Sequence, residues 1–94
     1  MARDNSEAEA TVEITNKDGL HIHPSDMVVR TALRFLSSIT IALGAEVVSA
    51  HSAVGLTTLG AAKGTKLRIR AVGPDAADAV KELVALFEGK FGEE

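Results

Sequence analysis

The sequence contains no cysteine, which excludes a disulfide framework, a thiolate nucleophile and a Cys-based zinc site. Trp and Tyr are absent and only three Phe are present, too few for an aromatic platform that stacks single-stranded nucleic acid. Positive charge is not in excess. The formal net charge of −3 argues against a broad electrostatic footprint for nucleic acid or an anionic membrane. No apolar run reaches the length of a membrane span, so no direct membrane insertion is expected. Residues 1–9 are polar and mostly acidic and lack the apolar core of a signal sequence. A cytoplasmic protein is the expectation.

What is present is a chain of 94 residues that is 46% hydrophobic, enough for one domain around one core. Residues 1–9 read as a flexible tail. Thr11-Val12-Glu13-Ile14-Thr15 alternates with period two, as a strand with one wet face does, and residues 16–19 carry turn chemistry. A helix is predicted over residues 27–36, with Val28, Val29, Ala32, Phe35 and Leu36 as its buried stripe. Asp26 and Arg30 stand one turn apart and can pair. Met27 and Leu33 fall off that stripe, either as part of a partner surface or as ordinary exposed apolar groups.

Residues 38–43 alternate again, Gly44-Ala45 can close a two-residue hairpin, and residues 46–50 form the return strand. Residues 52–60 read as a short helix with Ser52 as N-cap and Gly60 as stop. In residues 66–71, Leu67, Ile69 and Ala71 point inward and three basic residues outward, where Glu13 can pair with them if the strands are neighbours. Gly73-Pro74-Asp75 opens the last helix, with Asp75 and Asp78 at its positive end. Ala76, Val80, Leu83, Val84 and Phe87 line its inner side, Gly89 ends it, and residues 91–94 read as a tail. The order β-α-β-β-α-β-α predicts a single domain over residues 10–90, a sheet covered on one face. Its core is expected to contain Val12, Ile14, Val28, Ala32, Phe35, Ile39, Ile41, Val48, Leu67, Ile69, Val80, Leu83 and Phe87.

The chemistry concentrates in Gly19-Leu20-His21-Ile22-His23-Pro24-Ser25-Asp26, where a strand gives way to a helix. Proline in a first helical turn marks a helix start, and a helix N-terminus offers free N–H groups and the positive end of its dipole. An imidazole there could accept a phosphoryl group and have its charge held by the backbone. The plainer reading makes His21 a polar residue near an N-cap and His23 a surface residue.

These segments together resemble the HPr family, the histidine-containing phosphocarriers of the bacterial sugar phosphotransferase system. The family pattern Gly-hydrophobic-His-Ala-Arg-Pro is matched by Gly19-Leu20-His21-Ile22-His23-Pro24. The family's Ser that opens a short helix ending Leu-Gly is matched by Ser52 through Leu59-Gly60, and Lys63-Gly64-Thr65 and Gly73-x-Asp75 also agree. The resemblance implies an α+β open-faced β-sandwich, four antiparallel strands covered by three helices on one face. It implies that His21 takes a phosphoryl group from an enzyme I-type phosphotransferase and passes it to a sugar-specific acceptor protein, with no cofactor and as a monomer. It places the partner surface near Arg30, Leu33, Ala53, Val54 and Thr57. It makes Ser52 a regulatory target of a Ser kinase/phosphorylase, as in Gram-positive relatives.

Two departures stand out. The family Arg is His23, which offers at most one donor to a phosphoryl oxygen and is charged only when protonated. Asp26 puts a carboxylate one turn from the site, where the family has a small or neutral residue. Three readings follow. The first is a carrier in which His21 accepts phosphate, the N–H groups of Ile22 and His23 hold it, and His23 assists. The second is a regulatory or binding protein of the same fold, switched at Ser52, with His21 phosphotransfer impaired or lost. The third is a metal site of His21, His23 and Asp26, for which only three ligands are visible. No general base or substrate pocket can be assembled, so a carrier rather than a stand-alone enzyme is expected.

Overall fold

The computed structural model describes residues 6–93. The elements are β1 (Glu7–Glu13), α1 (Ile22–Ala32), β2 (Ser38–Leu43), β3 (Glu46–Ser49), α2 (Ala53–Thr58), β4 (Lys66–Val72) and α3 (Ala76–Glu88), then a 3-10 turn at Lys90–Gly92. The strands form one antiparallel sheet in the order β1-β4-β2-β3. Alternation sorts the two faces of β4. Leu67, Ile69 and Ala71 are buried, while Lys66, Arg68 and Arg70 are exposed. The buried face joins Val28 of α1, Leu56 of α2 and Leu83 and Phe87 of α3 in a single core. This is the open-faced α+β sandwich expected. On the open face Glu13 stands opposite Lys66, and Arg70 reaches Glu7 at 2.9 Å and Glu9 at 4.0 Å.

Eleven of the thirteen expected core residues are buried; Phe35 and Val48 are only half-buried. The reason for Phe35 is that α1 spans Ile22–Ala32 and not residues 27–36. The helix starts earlier because proline is tolerated in a first turn. It stops earlier because Arg34 and Phe35 tighten to carbonyls three residues back and Asp75 then takes the next two N–H groups. Leu36, expected in the buried stripe, is 84% exposed as a result. Met27, expected off the core face, is half-buried against it.

Both ends of the domain also differ from expectation. β1 begins at Glu7, and residues 7–9, expected in a tail, pair with Val72, Ala71 and Arg70 of β4. Residues 1–5 of that tail lie outside the described residues. The 91–94 segment is not a free end as far as it is described. Phe91 is 2% exposed and meets the Phe87 ring edge-on at 4.8 Å.

Candidate functional site

The site begins where β1 ends. Asn16 is fully buried, and its Nδ2 donates to the Gly19 carbonyl at 2.8 Å, which closes the turn. Gly19 has φ +70°, and any side chain there would collide with the Ala61 carbonyl. That same carbonyl accepts the Leu20 N–H at 2.9 Å, so the loop is pinned one residue before the histidine. Leu20 is buried, and the chain turns outward at His21.

His21 is the N-cap of α1, with extended backbone (φ −81°, ψ −167°) and no side-chain capping bond. The first helical bond is Ser25 N–H to the His21 carbonyl at 3.0 Å. Ile22 and His23 therefore carry N–H groups without a helical acceptor, and Pro24 has none to offer. The imidazole stands beside the positive end of the helix. Its Nε2 lies 3.1 Å and 3.3 Å from the two carboxylate oxygens of Glu93. Asn16 Nδ2 also donates to Glu93 Oε1 at 3.1 Å. Partial burial pushes the Glu93 carboxyl up, but the His21 ring N–H, the Asn16 amide and the nearby positive charge of His21 and His23 together hold it below the usual carboxylate range. A carboxylate in that state only accepts, so the proton of a neutral imidazole belongs on Nε2 and the lone pair on Nδ1.

His23 is exposed, and among the described residues its side chain makes no hydrogen bond. Asp26 is paired to Arg30 (Oδ2 to Nε, 2.8 Å), which offsets its charge near the helix start. The three-ligand metal reading is not supported. Among the described residues no group of three His, Asp or Glu side chains could hold an ion. Ser52 caps α2 as expected, its Oγ accepting the Gly55 N–H at 2.9 Å. α1 and α2 are packed neighbours. They expose Leu33 (66%), Val54 (76%) and also Ile22 (73%), which flanks the histidine and which sequence reasoning named only for its backbone. Arg30 is exposed, and Ala53 and Thr57 are half-exposed.

Two residues of the site were missed outright. In the sequence Asn16 carries only turn chemistry, and Glu93 lies in a segment with the composition of a tail. Three surface hollows run along β1, lined by Glu7, Glu9 and Arg70, by Thr11 and Arg68, and by Val12 and Phe87. His21 lines none of these three and is itself partly exposed. It stands on a surface, which suits handover from one protein to another rather than enclosure of a small substrate.

A family model described as the PTS HPr component phosphorylation site matches residues 8–89. The chain is 44% identical over 80 residues to the phosphocarrier protein HPr of Vibrio cholerae, covering 85% of this chain and 94% of that one. It is 34% identical to part of the multiphosphoryl transfer protein of Haemophilus influenzae, covering 90% of this chain and 18% of that protein. Among solved structures it is similar to HPr-C-His from Thermoanaerobacter tengcongensis, with a TM-score of 0.88, 42% identity and coverage of 93% and 98% of the two chains.

Proposed function

The chain belongs to the HPr family of phosphocarriers of the phosphotransferase system, and on that premise we propose that His21 Nδ1 is the atom that carries the phosphoryl group. The observation that supports this most is the position of the ring. It sits at the N-cap of α1, with Nε2 held by a carboxylate and Nδ1 left as the nucleophile. In the transfer, the Nδ1 lone pair forms the bond to phosphorus. The bond from phosphorus to the donor breaks, and the donor keeps that electron pair. The N–H groups of Ile22 and His23 are the donors available to the phosphoryl oxygens as charge shifts onto this side.

The donor is an enzyme I-type protein and the receiver a sugar-specific component, both meeting the chain in the cytoplasm. Ile22, Arg30, Leu33, Ala53, Val54 and Thr57 form the docking surface around the histidine. The fused multiphosphoryl relative, of which an HPr-like part is 18%, fits such a relay. His23 serves as a weaker substitute for the family Arg, because one imidazole N–H cannot grip two oxygens. The reading in which His21 is silent and Ser52 alone carries function is not favoured, since the curated relatives are phosphocarriers. Incubation with phosphoenolpyruvate and an enzyme I tests the proposal. An acid-labile, base-stable label lost in His21→Ala supports it; a label that persists in His21→Ala overturns it.

A further inference from the structure

We propose that Glu93 is a positioning residue for the carrier histidine. It fixes the ring so that Nδ1 accepts the phosphoryl group, and it stays on Nε2–H while the group is carried. The inference rests on the reading of His21 as the acceptor and deepens it.

The contact is built from three sides. The Nε2 atom faces both carboxylate oxygens, at 3.1 Å and 3.3 Å. The fully buried Asn16 spends its amide N–H groups on the Gly19 carbonyl and on Glu93 Oε1. One side chain thus ties the loop that presents His21 to the carboxylate that meets it. The route by which Glu93 arrives is equally specific. After Gly89 ends α3, Lys90 and Phe91 both take φ +55°, a left-handed conformation that residues with a Cβ rarely adopt. Burial of Phe91 against Phe87 holds that turn in place. The result aims Glu93, with a side chain only 22% exposed, at a ring 72 residues earlier.

The chemistry gives this contact a task. A free imidazole can flip about its side-chain bond and can carry its proton on either nitrogen. Only one of those arrangements keeps Nε2–H on the carboxylate and leaves the lone pair on Nδ1. A carboxylate on Nε2–H selects it. Once Nδ1 is phosphorylated, both ring nitrogens are substituted and the ring carries positive charge, which Glu93 faces. When the acceptor takes the group, the Nδ1–P bond breaks and its electron pair returns to Nδ1. Nε2 keeps its proton throughout, so the cycle balances without a proton leaving the ring.

The test uses full-length protein labelled with 15N in its histidine rings, together with phosphoenolpyruvate and an enzyme I. At about pH 8, above the ordinary imidazole range, wild-type His21 should show the Nε2–H form as its main tautomer. Glu93→Ala should give a mixture and slow phosphorylation about ten- to hundredfold, the range set by loss of a charged hydrogen-bond partner. Glu93→Gln, which still accepts a hydrogen bond but carries no charge, should recover part of the rate. A Glu93→Ala protein that is labelled within twofold of the wild-type rate overturns the proposal, whatever its ring spectrum. A wild type that takes no label overturns the carrier reading itself, and this role with it.

Discussion

Asp75 holds Ser37 at two points: its Oδ1 accepts the Ser37 backbone N–H at 2.9 Å and the Ser37 hydroxyl at 2.5 Å. Its other oxygen takes the Leu36 N–H at 2.8 Å. The residue expected to serve its own helix instead ends another one, since it makes no capping bond to α3. Gly73 allows the approach. A Cβ there would lie 2.6 Å from Ser37 Cα and Oγ, so the two segments meet at van der Waals distance only with glycine.

The hydroxyl of Ser37 and then the Leu36 N–H lower the Asp75 carboxyl below its ordinary value, and the Ser37 N–H adds to this against a modest upward push from burial. A depressed carboxyl contributes stability that is present above its unfolded value and lost as pH falls through the folded one. Thermal midpoints measured from neutral pH down through and below the ordinary carboxylate range should therefore fall more steeply for wild type than for Asp75→Ala. Asp75→Ala should already be the less stable protein at neutral pH. Parallel curves would show that the Asp75 carboxylate contributes no pH-dependent stability.

Phe91→Ala should cost about 3–5 kcal/mol, the range for emptying a buried phenyl site. Phe35→Ala should cost clearly less, because Phe35 is half-exposed with Arg34 lying 5.6 Å over its ring. Urea denaturation of the two variants checks the order. A Phe91→Ala protein as stable as wild type would mean that the turn after α3 adds nothing to the fold.

Ser52→Ala removes the acceptor for the Gly55 N–H and should lose about 1 kcal/mol in the same assay. A phosphate on Ser52 would sit at the positive end of α2 and should leave the fold intact while altering docking through Val54 beside it. A Ser kinase with ATP, read by mass, should add one phosphate to wild type and none to Ser52→Ala. A phosphate gain that survives the substitution places the modification elsewhere.

His23→Arg should raise the rate of phosphorylation from enzyme I by about tenfold or more, since it restores a permanent bidentate cation worth roughly 1.5–3 kcal/mol to a charged partner. Initial rates of label uptake decide it. No gain would mean that the N–H groups of Ile22 and His23 already meet the need for donors.

Features that depend on local period and local caps are legible from the residues alone. The alternation in β2 and β4, the stripe of α3, the Ser52 cap and the histidine motif between strand and helix are each carried by neighbours a few positions apart. A period reports which face of an element is dry, not where pairing stops. The start of β1 at Glu7 was therefore decided by its register with β4, and the end of α1 by Asp75. The meeting of Asn16, His21 and Glu93 left no trace in any window, because its hydrogen bonds span 72 and 77 residues. Local propensity even argues against it. Two successive residues with side chains in the left-handed region are unfavourable on their own, and burial of Phe91 in the core, which exists only once sheet and helices have assembled, overrides that preference and brings Glu93 to the ring.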